Sequence, residues 1–403
     1  MKRITALLVA AATALTLTAC GQEPTDKPPV TSPNSVTDPA KPTDPAELSE
    51  IYKIDSYTGS ATEVLANRDT VVATLGGQQL TNSTLQIYYW LDVYDFLSNY
   101  DITSYGLDIN KALDAQKCGN TGTWQHYFLG SALSTWNYHQ ALALAAEEEG
   151  IQLNAYYQNL LNNMDKELNE SAEEGKFDSI DAMIQSDVGP GATVEDYYRH
   201  RRILYASQNY CYAKLNAMTF TEQQINDYYT ENEAALIING ITKSTGDSHR
   251  VRHILFQIKK DATADDWEKL RQDAQALLDQ WLSGEATEDS FAALAEENSD
   301  DPGSCSQGGL YQGLTENTSF LQPFKEWYLD KDRKVGDYGL VKTTAGYHLM
   351  YYSGMEPIWY YYCREMMVSD EMEKIEKAAM EKFEATIHYD KILLGEVKLT
   401  EEK

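Results

Sequence analysis

The sequence predicts an α+β protein, in which a small domain with an antiparallel sheet interrupts a mainly helical chain. Residues 85–229 carry apolar side chains at helical spacing, in segments separated by glycine and proline. Residues 250–354 instead begin with a strand, continue through helices and return as two strands. Ser369 precedes a last helical segment with one apolar stripe, which needs a partner surface. The C-terminal segment, residues 355–403, is therefore expected to pack on the helical domain.

The helical domain is expected to span residues 71–247. Val71–Leu80 is typical of a strand followed by a tight Gly-Gly turn, and folded sequence is expected to begin there. Nothing in this domain has the residue types and spacing of a catalytic site. Helices are predicted where apolar residues recur at helical spacing or a capping residue stands at the start, in segments 85–97, 124–149, 154–168, 193–212 and 221–229.

The small domain follows a polar segment, residues 240–248, which is a plausible domain boundary. A glycine-rich loop lies between its second and third predicted helices. Strands with helices between them over about a hundred residues indicate an α+β domain with an antiparallel sheet. The strands are predicted from Arg250 and at 338–343 and 346–353, and the helices at 264–283, 288–298 and 321–329.

The chain begins with a short export signal. Residues 2–3 are basic and residues 4–15 are apolar, a stretch too short to span a membrane. Leu-Thr-Ala and Cys20 follow, and this segment resembles a bacterial lipobox, whose cysteine is lipidated. Residues 1–19 are therefore predicted to be a lipoprotein signal peptide, and two acyl chains on Cys20 would anchor the protein to a membrane. The alternative is an ordinary export signal with a coincidental cysteine.

Residues 20–50 are predicted to be a disordered tether. Seven prolines lie between residues 22 and 47, among Thr, Asp and Ser and with almost no large apolar side chain. Such a composition cannot bury enough apolar surface to form a core. The segment would hold the folded part of the chain away from the membrane.

The net charge of −29 argues against a nucleic-acid-binding protein, because phosphate binding needs clustered Lys and Arg. It also disfavours electrostatic attachment to an anionic membrane. The sequence contains no P-loop, no H-E-x-x-H motif and no G-x-S-x-G motif. We therefore expect no metal and no cofactor.

Besides Cys20, the chain has four cysteines, without a C-x-x-C pair or a histidine at zinc-ligand spacing. In an exported protein a Cys118–Cys211 or a Cys305–Cys363 bridge is possible. The sequence does not choose among the three pairings, and free buried thiols are the alternative.

Five motifs of the small domain occur in an informative order and spacing. In chain order they are Val251-Arg252-His253-Ile254-Leu255, Phe291–Ala295 followed by Ser299-Asp300-Asp301, Gly308-Gly309-Leu310, Phe320-x-x-x-Phe324 and Thr343-x-x-Gly346-Tyr347-His348. With these motifs, residues 248–354 resemble a parvulin-type peptidyl-prolyl cis–trans isomerase domain. With the lipobox and the helical flanks, the whole chain is similar to the PrsA-type foldase lipoproteins of Gram-positive bacteria. The resemblance implies a four-stranded antiparallel sheet with helices, inserted into a mainly helical SurA-like or PrsA-like chaperone domain.

The resemblance also implies a site with two imidazoles. His253 and His348 would form its floor, each holding the other's tautomer through a shared hydrogen bond. Asp301 would stand where parvulins carry Cys or Asp, and Thr343 would support the histidines. A histidine on a strand is also common as a core residue, and Asp300 could take the place of its neighbour. Three apolar side chains would line a slot for the proline ring: Leu310, Phe320 and Phe324.

The expected activity is isomerisation of X–Pro bonds in unfolded exported proteins, at the extracytoplasmic face of a Gram-positive cell membrane. Amide resonance sets a barrier of about 18–20 kcal/mol, and no covalent bond to the protein is needed to lower it. An apolar slot for the proline ring would help, together with polar groups that favour the twisted amide over the planar one.

Three other functions are alternatives. The first is a non-catalytic holdase, whose parvulin domain only binds peptide. The second is a peptidase, in which Ser304 or Cys305 as the nucleophile would need a base within hydrogen-bond reach; a cysteine peptidase would be built from Cys305 and His348. The third is a solute-binding lipoprotein, which would need two α/β lobes around a cleft, whereas residues 80–235 show no βαβ alternation.

Overall fold

A computed structural model describes residues 50–119 and 122–399, and its architecture confirms the α+β class. The predicted signal peptide, Cys20 and the tether up to residue 49 lie outside the described residues. Within the two described ranges, no helix is both long enough and apolar enough to cross a membrane.

Helices make up most of the chain on both sides of the small domain. The α-helices, in chain order, are α1 (Ala61–Ala66), α2 (Asn82–Asn99), α3 (Trp124–Glu148), α4 (Ala155–Gly175), α5 (Ile180–Val188), α6 (Val194–Ala217), α7 (Glu222–Ile238), α8 (Ala264–Ser283), α9 (Glu288–Asn298), α10 (Gln322–Tyr328) and α11 (Ile358–Lys382). The strands are β1 (Thr58–Gly59), β2 (Val71–Leu75), β3 (Gln78–Thr81), β4 (Lys117–Cys118), β5 (Gly122–Thr123), β6 (Asp247–Gln257), β7 (Leu310–Leu314), β8 (Tyr338–Thr343), β9 (Gly346–Pro357), β10 (Thr386–Ile387) and β11 (Leu394–Gly395).

Capping side chains explain where many of the helices begin. At the start of α7, the Thr221 hydroxyl accepts a hydrogen bond from the Gln224 backbone, and the Gln224 side chain accepts one from the Thr221 backbone. The capping box predicted there is therefore present. The helix is longer than predicted, since it passes Tyr229 and ends just before Gly240, whose φ of +75° lies in the left-handed region.

Two predicted boundaries are wrong. Ser369 does not cap the last helix but lies in the middle of α11, which begins directly after Pro357. The first turn of α11 is held by packing that is remote in sequence: the Trp359 ring meets the Tyr229 ring of α7 edge-on, with 5.3 Å between centroids. Folded structure also begins before Val71, because β1 and α1 precede it.

The small domain is built on an antiparallel sheet of four strands in the order β7-β6-β9-β8. The central strands β6 and β9 place Leu255 opposite His348 and His253 opposite Met350. Because successive side chains alternate between the faces of a sheet, both histidines lie on the same face. That face packs against α10, whereas the other face packs against α8 and α9.

The two ends of the described chain meet in the helical domain. Strand β10 pairs with β2, and β11 pairs with β1 in parallel. The Gln86 side chain, buried in α2, accepts a hydrogen bond from the Gly395 backbone. Helix α11 packs on α3 and α7. Along the chain, the small domain is therefore inserted between the two parts of one helical domain.

The four cysteines of the described residues are free, so neither of the suggested bridges, Cys118–Cys211 and Cys305–Cys363, is formed. Cys305 and Cys363 are packed in different parts of the structure. The Cys305 thiol lies beside Tyr156 of α4, whereas Cys363 lies in the apolar cluster between α7 and α11.

Candidate active site

Two buried histidines form the centre of the site. His253 lies on β6 and His348 on β9, and the side chains are only 3% and 6% exposed. Their Nδ1 atoms are 3.2 Å apart, and the rings stack with 5.4 Å between centroids. One Nδ1 must donate and the other accept, so the two imidazoles hold different tautomers when both are neutral.

The outer nitrogens of the two rings fix the direction of this hydrogen bond. His253 Nε2 lies 2.8 Å from Asp301 Oδ2, and His348 Nε2 lies 2.9 Å from Thr343 Oγ1. A carboxylate only accepts, so His253 Nε2 donates to Asp301 and its Nδ1 accepts from His348 Nδ1. His348 Nε2 is then left to accept from the Thr343 hydroxyl. The four side chains form a directed chain of hydrogen bonds that ends at the carboxylate.

The charges of the site follow from burial and from these hydrogen bonds. Burial by itself raises the pKa of Asp301, but the hydrogen bond and the proximity of His253, with hydrogen bonds from Ser304 and Tyr311, bring that pKa well below its ordinary value. Burial, and then the neighbouring His253, lower the pKa of His348 to about 3. At neutral pH the site therefore holds an ionised Asp301 and a neutral His348.

The structure distinguishes between the two adjacent aspartates. Asp300 Oδ2 accepts a hydrogen bond of 2.9 Å from the Gln257 backbone, and the Asp300 backbone donates to the Leu255 carbonyl oxygen over 2.8 Å. Asp300 therefore joins the loop to the end of β6. Asp301 is the residue that lies beside His253.

Aromatic rings form a wall above the histidines. Phe324 is buried and meets the rings of His253 and His348 edge-on, with 5.2 and 5.3 Å between centroids. Phe320 stacks on Phe324 at 4.7 Å, and the half-buried Tyr311 meets Phe320 at 4.9 Å. These rings provide the apolar surface that a proline ring would need.

The position of Leu310 differs from that of the other predicted slot residues. Tyr311, the next residue on β7, stacks on His253 with 5.3 Å between ring centroids. Neighbouring residues of a strand point to opposite faces, and Leu310 is paired with Arg252 at the edge of the sheet. The aromatic wall thus includes Tyr311, and the assignment of Leu310 to the slot stays a prediction.

Three further residues belong to the site and were missed in the sequence. Ser304 and Tyr311 both donate hydrogen bonds to Asp301 Oδ2. The Arg252 guanidinium holds the carbonyl oxygens of residues 307 and 308, each over 3.0 Å. No motif marks Ser304 or Tyr311, whereas Arg252 directly precedes His253 in the same motif, and that position is a signal of its role.

The geometry does not support a peptidase. Burial raises the pKa of Cys305 to about 12, so its thiol is not a nucleophile at neutral pH. Ser304 lies 3.1 Å from His253 Nε2, but that nitrogen is also the one that contacts Asp301, and Ser304 is fully buried. A hydrolytic triad needs the serine and the carboxylate on opposite ring nitrogens.

The structure also offers no metal centre in the residues it describes. No group of three or more His, Cys, Asp or Glu side chains there could hold a metal ion.

Comparison with known proteins identifies the small domain. Residues 236–353 match the family described as the PPIC-type PPIASE domain. No curated protein matches the chain.

Several solved structures are similar in part. Peptidylprolyl isomerase (PrsA) from Bacillus anthracis is 14% identical, with 62% of this chain and 94% of that chain covered and a TM-score of 0.22. PrsA from Bacillus subtilis is 17% identical, with coverage of 68% and 90% and a TM-score of 0.27. A SurA-like chaperone from Campylobacter jejuni is 15% identical, with coverage of 78% and 96% and a TM-score of 0.20. The assignment rests on the domain match. Residues 236–353 are a PPIC-type, that is parvulin-type, peptidyl-prolyl isomerase domain.

Proposed function

We propose that this chain is a membrane-anchored extracytoplasmic foldase, which binds unfolded exported polypeptides and catalyses cis–trans isomerisation of their X–Pro bonds. The observation that supports catalysis is the directed hydrogen-bond chain from Thr343 to Asp301, which lies beneath an aromatic wall. A domain that only binds peptide needs the wall but has no use for an ionised carboxylate held at a buried imidazole.

The chemistry requires only that the twisted amide be favoured over the planar one. Resonance in the planar amide places negative charge on the carbonyl oxygen and positive charge on nitrogen. A fixed negative charge near that oxygen raises the energy of the planar form more than that of the twisted form. The Asp301 carboxylate, which the low pKa keeps ionised, provides such a charge at one end of the slot.

The remaining groups of the site strengthen and orient the effect of the Asp301 charge. Phe320, Phe324 and Tyr311 would hold the proline ring and exclude water, which strengthens the effect of the carboxylate. His348 stays neutral, so it places no positive charge where the planar amide would be stabilised. Thr343 fixes the tautomers, and the other three members of the chain are thereby oriented.

A rate measurement on the full chain tests catalysis. Exchange spectroscopy on a short X-Pro peptide should show faster interconversion with the protein than in buffer. His253→Ala should lower kcat/KM by at least about tenfold while the far-UV spectrum stays the same. If the full chain does not accelerate interconversion, the catalytic part of the proposal fails. Suppression of aggregation of an unfolded protein would then support the holdase alternative.

The membrane anchor is a separate part of the proposal and rests on the lipobox ending at Cys20. The full-length gene product should partition into the membrane fraction and carry a diacylglyceryl group on that cysteine. Cys20→Ala should release the protein into the soluble fraction without changing its isomerase rate. Recovery of the unmodified chain in the soluble fraction, without lipid in its mass spectrum, would contradict the anchor.

A further inference from the structure

The loop that carries Asp301 has two sides with different partners. We define the Asp301 loop as residues 301–309. Its first side faces the active site, where Asp301 and Ser304 both contact His253 Nε2, at 2.8 and 3.1 Å. Its second side consists of residues 305–307, a short 3-10 turn in which Cys305 and Ser306 are 0% and 2% exposed.

The second side is buried against the helical domain. The Asn154 side chain donates to the Ser306 carbonyl oxygen over 3.4 Å. The remaining contacts come from tyrosine hydroxyls of α4 and α6. The Tyr156 hydroxyl lies beside the Cys305 thiol, that of Tyr157 beside the Ser306 side chain, and that of Tyr212 beside the side chains of Ser306 and Gln307. Both helices pack on this turn.

The small domain itself holds the loop at its two ends and through one arginine. At its start, Asp300 donates to the Leu255 carbonyl oxygen. At its end, the backbone N–H of His253 donates to the Gly309 carbonyl oxygen over 2.8 Å. A Cβ at Gly309 would stand only 2.2 Å from the backbone oxygen of His253, so this close approach requires glycine. Arg252 holds the carbonyl groups of residues 307 and 308.

The side chains in the middle of the loop find their partners in the helical domain. The Ser306 hydroxyl and the Cys305 thiol are buried against the three tyrosine hydroxyls, and a buried polar group that loses its polar neighbours is costly. The backbone transmits this anchoring to the site, because the Cys305 N–H donates to the Asp301 carbonyl oxygen over 3.0 Å.

We propose that Tyr156, Tyr157 and Tyr212 of the helical domain are positioning residues for the isomerase site. They touch neither the histidines nor the aromatic wall, and they act by holding residues 305–307 so that Asp301 and Ser304 stay against His253. The helical domain then has two roles, as a chaperone surface and as the support that completes the active site. This inference rests on the proposed function, since it concerns the same reaction.

Removal of the hydroxyls in the full chain tests the proposal. The double variant Tyr156→Phe/Tyr212→Phe keeps the rings and should lower kcat/KM for the X-Pro peptide by about tenfold, because small misplacements of catalytic groups are expensive. Tyr94→Phe is the matched control, since it removes a buried tyrosine hydroxyl of the same domain that donates to the Asp187 carbonyl oxygen over 2.6 Å. Tyr94→Phe should leave kcat/KM unchanged. If the double variant does not fold, the Tyr212→Phe single variant replaces it.

The pH profile separates positioning from loss of stability. Asp301 owes its low pKa to its contacts with His253, Ser304 and Tyr311, so a displaced loop lets that pKa rise toward the ordinary value. The acidic limb of kcat/KM should therefore move to higher pH in the double variant, and not in Tyr94→Phe. A purely structural role would leave the limb where it is. Wild-type rates together with an unmoved limb in the double variant would overturn the proposal.

A readout that does not depend on turnover distinguishes this inference from the proposed function. The imidazole resonances of His253 and His348 report the Asp301 contact directly, and they should shift in the double variant but not in the control. If the unmodified chain is inactive while the resonances shift, the proposed function fails and the positioning role stands. Unshifted resonances would exclude the positioning role even in an active enzyme.

Discussion

Both domains contain two neighbouring histidines, but only those of the small domain are both buried and arranged as a site. In the small domain, His253 and His348 have a partner at every ring nitrogen. In the helical domain, His139 Nδ1 lies 2.6 Å from the Ser207 hydroxyl. His200 Nδ1 has no partner within the described part of the chain, and its ring packs on Tyr88.

The comparison shows that a shifted pKa does not by itself identify a catalytic histidine. Burial lowers the pKa of His139 to about 4 and that of His348 to about 3, so the two differ little in this respect. The difference lies in the partners of the two pairs. The hydrogen bonds of His348 lead through His253 to an ionised Asp301 beneath an aromatic wall, whereas in the helical domain His139 contacts the Ser207 hydroxyl and the His200 ring packs on Tyr88.

The largest expected effect is a loss of stability when His253 is replaced, compared with the replacement of His200 in the helical domain. His253→Leu should lower the free energy of unfolding by about 3 kcal/mol, because it leaves the partly buried Asp301 carboxylate without its main partner. His200→Leu should change the free energy of unfolding by about 1 kcal/mol or less, since one nitrogen there is already without a partner. Urea denaturation of the two variants measures both values. Equal losses would remove the distinction between the pairs.

The next largest expected effect is on kcat/KM, when a carboxylate of the small domain or of the helical domain is replaced. Asp301→Asn keeps the shape but removes the charge and should lower kcat/KM by about a hundredfold. Asp92, on α2 of the helical domain, has its pKa raised to about 7 by burial, so Asp92→Asn replaces a carboxyl that is only partly ionised at neutral pH. Peptide exchange kinetics should show no change for that control. A rate for Asp301→Asn close to wild type would refute the charge argument.

Acid should loosen the small domain before the helical domain. The folded-state pKa of His348, about 3, is below its ordinary 6.5, so the unfolded state binds more protons and stability falls from about pH 6.5 downward. Asp301 adds a further loss below its ordinary pKa of 3.8, since its folded-state pKa is lower still. In the helical domain, burial raises the pKa of Asp92 to about 7 and that of Asp187 to about 6, which stabilises that domain as pH falls. This gain opposes the losses from His139 and His200, whose pKa values burial lowers.

Hydrogen exchange followed by mass spectrometry at pH 7 and pH 4.5 measures this difference segment by segment, after correction for intrinsic rates. Strands β6 and β9 should lose more protection than α2 and α3. Equal loss in both regions, or greater loss in the helices, would contradict the assigned proton balance.

The smallest expected effect is on the rate, when the hydroxyl next to a histidine of either pair is removed. Thr343→Val removes the donor that fixes the tautomer of His348 and should lower kcat/KM by about fivefold, with Thr343→Ser restoring the rate. Ser207→Ala removes the corresponding hydroxyl beside His139 and should leave kcat/KM unchanged. A fall in kcat/KM for Ser207→Ala would connect the helical pair to the reaction.

Much of the small domain could be predicted, because its strands are indicated by local residue patterns and its site residues by motifs. The strands 338–343 and 346–353 follow from β-forming residues around a turn, and β8 and β9 match them closely. The pairing of His253 with His348 followed from resemblance, since no local pattern joins residues 95 positions apart. The length of α11 could not be predicted, because its first turn is held by Trp359 against Tyr229.

The sequence by itself determined the class of the protein, the order of its elements and the side chains that could serve proline isomerisation, because periodicity and motifs depend on neighbours along the chain. Only the tertiary structure decided that Asp301 rather than Asp300 faces His253, and that Tyr311 packs on the imidazole. These choices depend on the path of a loop whose partners, Tyr156 and Tyr212, come from a distant part of the chain. Contacts of that kind form only when the two domains pack together.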